Sequence, residues 1–309
     1  MASSRFADPC SPFLAHLRFV AISLALLIST LASAQSADHQ PKVIFWNMKR
    51  ESIDMLVQHV PQRNADRLAQ LKQTFSDLEC KGGNLYEHPA GDAPNLICRL
   101  PGTAPPAAHE IILITANYEH EGKGMSAVDN WSGAIMLPFL YHALAAVPRR
   151  HTFIFAEVNG EAGTRALFQS VPSVRAVVAL DALGFGPSAF YIHSIGSVPT
   201  LTEAMLKGAL FRAADELGRT QPEASIPGSW FKIDTTRDYR YREVASILIH
   251  SVSDSTKHIP GSVDDTAGQI NSDAYFSSYM LLCCYVVGLD QFPLAQLTAQ
   301  QQSGSGRRR

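Results

Sequence analysis

The sequence predicts an α/β fold: a single three-layer domain in which a mixed, mostly parallel sheet carries helices on both faces. Three observations predict it. Short apolar runs alternate with longer helical patterns between residues 95 and 289, the signature of strands separated by crossover helices. Four of these runs end in Asp, Glu, His or Asn, as happens where parallel strands bring their carboxyl ends to one edge. The composition, 46% hydrophobic and 17% charged over 309 residues, is that of a globular chain with a sizeable core.

The elements follow in order. Arg5 and Arg18 precede an apolar run, Phe19 to Leu31, and Ala32-Ser33-Ala34 supplies the small residues that signal peptidase accepts. Residues 1–34 therefore read as a signal peptide cleaved before Gln35, with an exported mature chain. An uncleaved N-terminal membrane anchor is the alternative. The run Phe19 to Ala34 is shorter than the roughly 20 apolar residues a spanning helix needs. Residues 35–295 read as the domain. Within residues 46–79, Met55, Leu56, Val60, Leu68, Leu71 and Phe75 recur at helical spacing, broken at Pro61. Asn95 to Leu100 is a strand closed by the turn signal Pro101-Gly102. Strands are then expected at Ile111–Thr115, Thr152–Val158, Val174–Leu180, Tyr191–Ile195 and Ala245–Ile249. Helices are expected at Ser132–Leu144, Thr164–Gln169, Leu201–Leu217 with Gly218 as C-cap, and Ser272–Leu289 with Ser272 as N-cap. The polar Gly/Ser-rich tail, residues 296–309, reads as disordered. A net charge of -2 gives no reason to expect nucleic acid as a partner, and a membrane enters only if the signal segment is retained.

Cys10 leaves with the signal, and four cysteines remain. Cys80 and Cys98 flank a turn-prone stretch containing Gly82-Gly83, Pro89 and Gly91. They are expected either to form a disulfide, which an oxidising compartment permits, or to stay as two buried thiols. Cys283 and Cys284 lie in an apolar helical pattern and read as core. No Cys or His pair has structural-zinc spacing.

The candidate chemistry lies at the four strand ends. The first carries Asn117, Glu119 and His120, with Asp129 beyond. The second carries Glu157, Asn159 and Glu161. The third ends at Asp181, and the fourth at His250 and Ser251, with His258 in the following loop. Singly, each is as readily a turn cap or a structural histidine. Converging, they suggest a metal or catalytic site.

The order of these groups resembles the co-catalytic zinc aminopeptidases of metallopeptidase family twenty-eight, with the related glutaminyl cyclases. The resemblance rests on Ala116-Asn117-Tyr118-Glu119-His120, Asp129-Asn130-Trp131-Ser132-Gly133, Gly160-Glu161-Ala162-Gly163, Asp181-Ala182-Leu183-Gly184, the loop His258 to Asp265, and Asn95-Leu96-Ile97-Cys98-Arg99-Leu100-Pro101-Gly102. It covers about residues 60 to 290. It implies a zinc-exopeptidase fold, zinc as cofactor, and hydrolysis of a peptide or small amine substrate at its free N-terminus. In the family a His and the turn Asp bind zinc, a Glu, a third-strand Asp and a loop His complete the set, and another Glu is general base. Asp129 and Asp181 match. Asn117 stands where the first His is expected, and Glu119 replaces the Asp that orients it. One Glu of a pair remains: Glu161 is general base in one register and metal ligand in the other. Counted without a gap, the loop His falls on Gly261, with His258 three residues upstream.

The resemblance thus implies Glu161 and Glu119 as catalytic candidates and Asp129, Asp181, His258 and Asn117 as metal candidates. A single zinc on Asp129, Glu161 and His258 fits a three-ligand catalytic pattern. Glu157, Glu119, His120 and His250 are spare donors. In this reading zinc-bound water, deprotonated by Glu161, attacks the carbonyl beside a free N-terminus. The competing reading is a binding or scaffold protein on the same fold. A serine hydrolase is disfavoured, because the sequence holds no Gly-x-Ser-x-Gly elbow.

Overall fold

A computed structural model describes residues 48–105, 107–120, 123–171, 173–193, 200–225 and 244–291. The expected signal segment and the C-terminal tail lie outside the described residues. No described helix is long and apolar enough to cross a membrane.

Two helices open the described chain, α1 (Arg50–Gln58) and α2 (Asn64–Asp77), separated at Pro61 as its missing N–H requires. Strands β1 (Leu85–His88), β2 (Asn95–Leu100) and β3 (Ile111–Asn117) follow. A π-helical turn, Ala127–Ser132, then leads into α3 (Met136–Ala145). Next come β4 (Thr152–Val158), α4 (Gly160–Ser170), β5 (Val174–Leu180), β6 (Ala189–His193), α5 (Leu201–Glu216), β7 (Glu223–Ala224), β8 (Ala245–His250) and α6 (Ser272–Asp290). The described strands form one sheet in the order β1-β2-β4-β3-β5-β8-β6-β7. The four strands expected to carry the chemistry, β4, β3, β5 and β8, are adjacent and mutually parallel, so their carboxyl ends do share one edge. The pairs β1–β2, β2–β4 and β8–β6 are antiparallel.

Side-chain alternation divides the core. Ile112, Ile114, Phe153, Phe155, Val178 and Ile247 face the larger cluster, which also takes buried residues from α1, α2, α3, α5 and α6. Leu113, Ile154, Ala156, Val158 and Val177 face a smaller one that includes Leu167 and Phe168 of α4. Both sheet faces are therefore covered, which is why the central strands read as unbroken apolar runs.

Several boundaries moved. The expected helix at Ser132–Leu144 is divided: Gly133 and Ala134 are helical, Ile135 is a turn residue, and α3 proper runs from Met136, while Asp129 (φ -110°, ψ 93°) interrupts the π-helical turn before it. Helix α4 starts at Gly160 and not Thr164; Gly160 has φ +60°, which turns the chain out of β4 at once. The N-cap of α6 is Asn271, whose Oδ1 accepts from Ala274 N (2.9 Å), not Ser272. Strand β6 spans Ala189–His193; the rest of the expected run lies outside the described residues. Strands β1 and β7 escaped the sequence reading. They are edge strands of four and two residues with exposed polar positions, so they carry no apolar run. Gly218 follows α5 at φ +62° and receives the helix end as expected.

Cys80 and Cys98 are disulfide-bonded, with Cα atoms 6.3 Å apart. The bridge ties the end of α2 to β2 and closes an 18-residue separation, which stabilises by about 3 kcal/mol. Cys283 and Cys284 are buried in α6 as free thiols.

Candidate functional site

Strand β3 delivers Asn117 to the common edge, where it is buried (6% exposed). Its Oδ1 accepts two backbone N–H groups, from Glu119 (3.1 Å) and from Gly160 (3.0 Å). The amide therefore stitches the end of β3 to the start of α4. Both lone pairs of that oxygen are in use, so Asn117 does not offer it to a metal. Its Nδ2 is buried without a partner. Glu119, half-buried, lays its carboxylate over the Cα of Gly160, where any side chain would collide with it. The site thus requires glycine there for space as well as for backbone conformation.

The turn that carries Asp129 is held from two sides. On one side the Asp265 carboxylate, wholly buried, accepts N–H bonds from Val128 (2.7 Å), Asp129 (3.2 Å) and Gly261 (3.2 Å). Burial pushes Asp265 above the usual carboxylate range, and these N–H bonds oppose the shift. On the other side stands Arg67 of α2, fully buried. Its guanidinium donates to Pro61 O (2.8 Å), Tyr118 O (3.2 Å), Met125 O (2.6 Å) and Ser126 O (3.3 Å). It also lies 5.6 Å from the centre of the Trp131 ring. Burial lowers it to about 10, while Asp265 and Asp129 pull it back up; it stays a cation at neutral pH. The peptide bond between Asp129 and Asn130 is cis.

This turn touches both neighbouring strand ends. Asn130 Nδ2 donates to Glu119 O (3.1 Å), and Leu183 N donates to the Ser132 hydroxyl (2.8 Å). Gly133 packs against Leu180 O and the Asp181 Cα. Asp181 itself is at the end of β5, 9% exposed, with its N–H bonded to Ile249 O of β8 (3.2 Å). Glu119, Asp129 and Asp181 are in this way gathered on one edge.

Glu161 and His258 are more exposed than these groups. Strand β4 ends at Val158, so Glu161 belongs to the first turn of α4 and is exposed. His258 is exposed on a turn after β8. Gly261, three residues on, is the position that shares the Asp265 carboxylate with Asp129. Among the described residues, no group of three His, Cys, Asp or Glu side chains is arranged to hold a metal ion. The residues present do not fit the dinuclear zinc centre that the family resemblance implies. The expected single-zinc set of Asp129, Glu161 and His258 is not assembled either.

The strand carboxyl group at this edge is Glu157, which the sequence reading kept only as a spare donor. It is wholly buried, neither of its oxygens has a hydrogen-bond partner, and burial raises it well above the usual carboxylate range. Arg67 and Asp265 were also underrated. Arg67 does carry a signal, since it precedes Leu71 and Phe75 by four and eight residues and so shares their buried stripe.

His250 ends β8, buried, with its pKa lowered by burial to about 4. Val252 N donates to its Nδ1 (3.1 Å), so the neutral ring carries its proton on Nε2, facing the Ser225 hydroxyl at 2.7 Å. A proton on that nitrogen prevents it from taking one from Ser225, so the pair is not a nucleophile and base.

The sequence profile described as Peptidase family M28 matches residues 95–274, more than half of the chain. Among solved structures, the fold is similar to the Legionella pneumophila LapA aminopeptidase (TM-score 0.61, 14% identity, 79% of this chain and 68% of that one). It is also similar to the Acidobacteriales bacterium glutaminyl cyclase (TM-score 0.60, 16% identity, 83% and 99%). A third similar structure is BSAP, a zinc aminopeptidase from Bacillus subtilis (TM-score 0.52, 16% identity, 63% and 49%). The chain spans about half the length of that Bacillus protein. None of the curated proteins compared matches the sequence.

Proposed function

The chain belongs to peptidase family M28, and on that premise we propose that it is a binding member of the family: it holds the free N-terminus of a peptide or small amine without dinuclear zinc hydrolysis. The observation that carries this reading is Asn117. The residue at the first metal position has both oxygen lone pairs committed to backbone N–H groups of Glu119 and Gly160, and the loop position beside Asp129 is Gly261. What remains on the edge is anionic: Glu119, Asp129 and Asp181. Clustered carboxylates suit an ammonium ion, which brings both charge and three N–H donors. Export stands with this reading, supported by the N-terminal segment ending at Ala34 and by the Cys80–Cys98 disulfide, which belongs in an oxidising compartment.

The test is metal analysis of the mature chain after dialysis against zinc, with calorimetry using leucinamide and N-acetyl-leucinamide. No stoichiometric zinc is expected, nor any release of aminoacyl chromophores. N-acetylation removes the charge and should weaken binding by about 10- to 100-fold, the worth of a charge-assisted hydrogen bond. One or two equivalents of bound zinc with turnover of an aminoacyl substrate would return the protein to the hydrolases.

A further inference from the structure

A cleft of about 1410 Å³ opens between β6–β7, the turn after β8 and the first turns of α6. It adjoins the carboxylate edge through Ser251, whose hydroxyl donates to Ala182 O (2.9 Å) and accepts from Phe185 N (2.9 Å). Both Ser251 and Phe185 line the cleft, so it begins within four residues of Asp181. Its size exceeds the roughly 300–1,000 Å³ of pockets for small molecules and suits several residues of a chain.

The lining specifies the chain's chemistry. The Lys257 ammonium is paired with Asp254 (3.0 Å) and Asp273 with Arg50 (2.6 Å), while the Arg219 guanidinium donates to Ser277 O (2.6 Å). Glu223 stands exposed in the lining, so an acidic chain is disfavoured. The remaining polar groups are chiefly hydroxyls. The Ser251 hydroxyl proton is spent on Ala182 O, whereas that of Ser225 is directed elsewhere by its neighbour. The Ser225 oxygen accepts the His250 Nε2 proton, which leaves its own O–H to donate away from His250. Among the described strands β7 stands at the end of the sheet, so it supplies a backbone edge as well. Ser225 N bonds Phe190 O of β6 (2.8 Å); since successive residues of a strand direct their N–H and C=O groups to opposite sides, Ala224 directs its own away from β6. An extended chain pairs with such an edge.

We propose that this cleft binds the extended, uncharged, polar chain that follows the captured N-terminus, with the Ser225 hydroxyl donating to one of its carbonyl groups. The proposal rests on the amine-binding reading for the chain's direction, and the experiment separates the two. Fluorescence anisotropy is measured for a Gly/Ser/Thr octapeptide labelled at its C-terminus, the same octapeptide N-acetylated, an acidic octapeptide, and a labelled Gly-Ser dipeptide. The free octapeptide should bind at least about tenfold more tightly than the dipeptide. Ser225→Ala should weaken the octapeptide by about 3- to 10-fold and leave the dipeptide unchanged, the effect of one neutral hydrogen bond. Ser225→Thr, which keeps the hydroxyl, should restore it. Equal affinity of octapeptide and dipeptide, an unmoved Ser225→Ala variant, or tighter binding of the acidic octapeptide overturns the cleft proposal. An N-acetylated octapeptide that binds as well as the free one supports the cleft and overturns the amine reading instead. Failure of every peptide to bind overturns both.

Discussion

Replacing Arg67 with Met should lower the stability of the folded protein by about 3–5 kcal/mol, the usual consequence of removing one partner from a buried ionic network, and so lower the melting temperature by roughly 10 °C. The side chain is wholly enclosed and donates to four backbone carbonyls. Methionine fills much of the volume but leaves those carbonyls unpaired, and it removes the cation that faces Asp265 and Asp129. The damage should be concentrated in the turn that carries Asp129. Hydrogen exchange at Val128 and Asp129, whose N–H groups are bonded to Asp265, should accelerate by more than exchange in β5. Arg67→Lys keeps the charge but not the planar fork, and should recover only part of the loss. A Met variant within 1 kcal/mol of the parent, measured by urea unfolding, would show that the guanidinium is a passenger.

Glu157 should act in the opposite direction. A carboxyl group buried without partners is a cost, which the fold lessens by keeping the group protonated. Above the ordinary carboxyl range the unfolded chain has released this proton and the folded chain still holds it. Folding then binds a proton, and stability falls as pH rises, by about 1.4 kcal/mol per pH unit until the folded group ionises. Glu157→Gln removes the titration. The two proteins should be of similar stability near pH 4, and the variant should become progressively more stable as the pH rises above about 5. The difference between the two curves isolates this residue from Asp265, whose raised carboxyl gives a slope of the same sign in both proteins. Parallel stability curves would mean that Glu157 has a partner at neutral pH. The retained cost points to a site group, since a core without a task would carry an apolar residue there.

Much of the edge was legible before any coordinates. Runs such as Thr152–Val158 and Val174–Leu180 are bounded by turn residues and buried on both faces, so their extent is written locally. Their alternation with helices implied parallel neighbours, and parallel neighbours implied a shared carboxyl edge. Asn117, Asp129 and Asp181 fall on that edge for this reason. The motif around Glu161 does not reveal where strand β4 stops. A single glycine with positive φ, Gly160, ends the strand run and puts Glu161 in the first turn of α4. His258 was favoured over Gly261 because an imidazole is a plausible ligand and a glycine is not. Yet the backbone of Gly261 is what meets Asp265.

The order of residues along the chain was enough to specify the sheet and the face on which its chemistry would lie, because those follow from short-range periodicity and from spacing, and its motifs carried the family resemblance. The fate of the metal positions depended on the folded molecule. Whether Asn117 offers an oxygen depends on Glu119 and on Gly160, 43 residues away. Whether Asp129 stands in place depends on Arg67 before it and Asp265 after it. Hydrogen bonds and ion pairs saturate, and only the three-dimensional arrangement decides which partner fills each donor and acceptor.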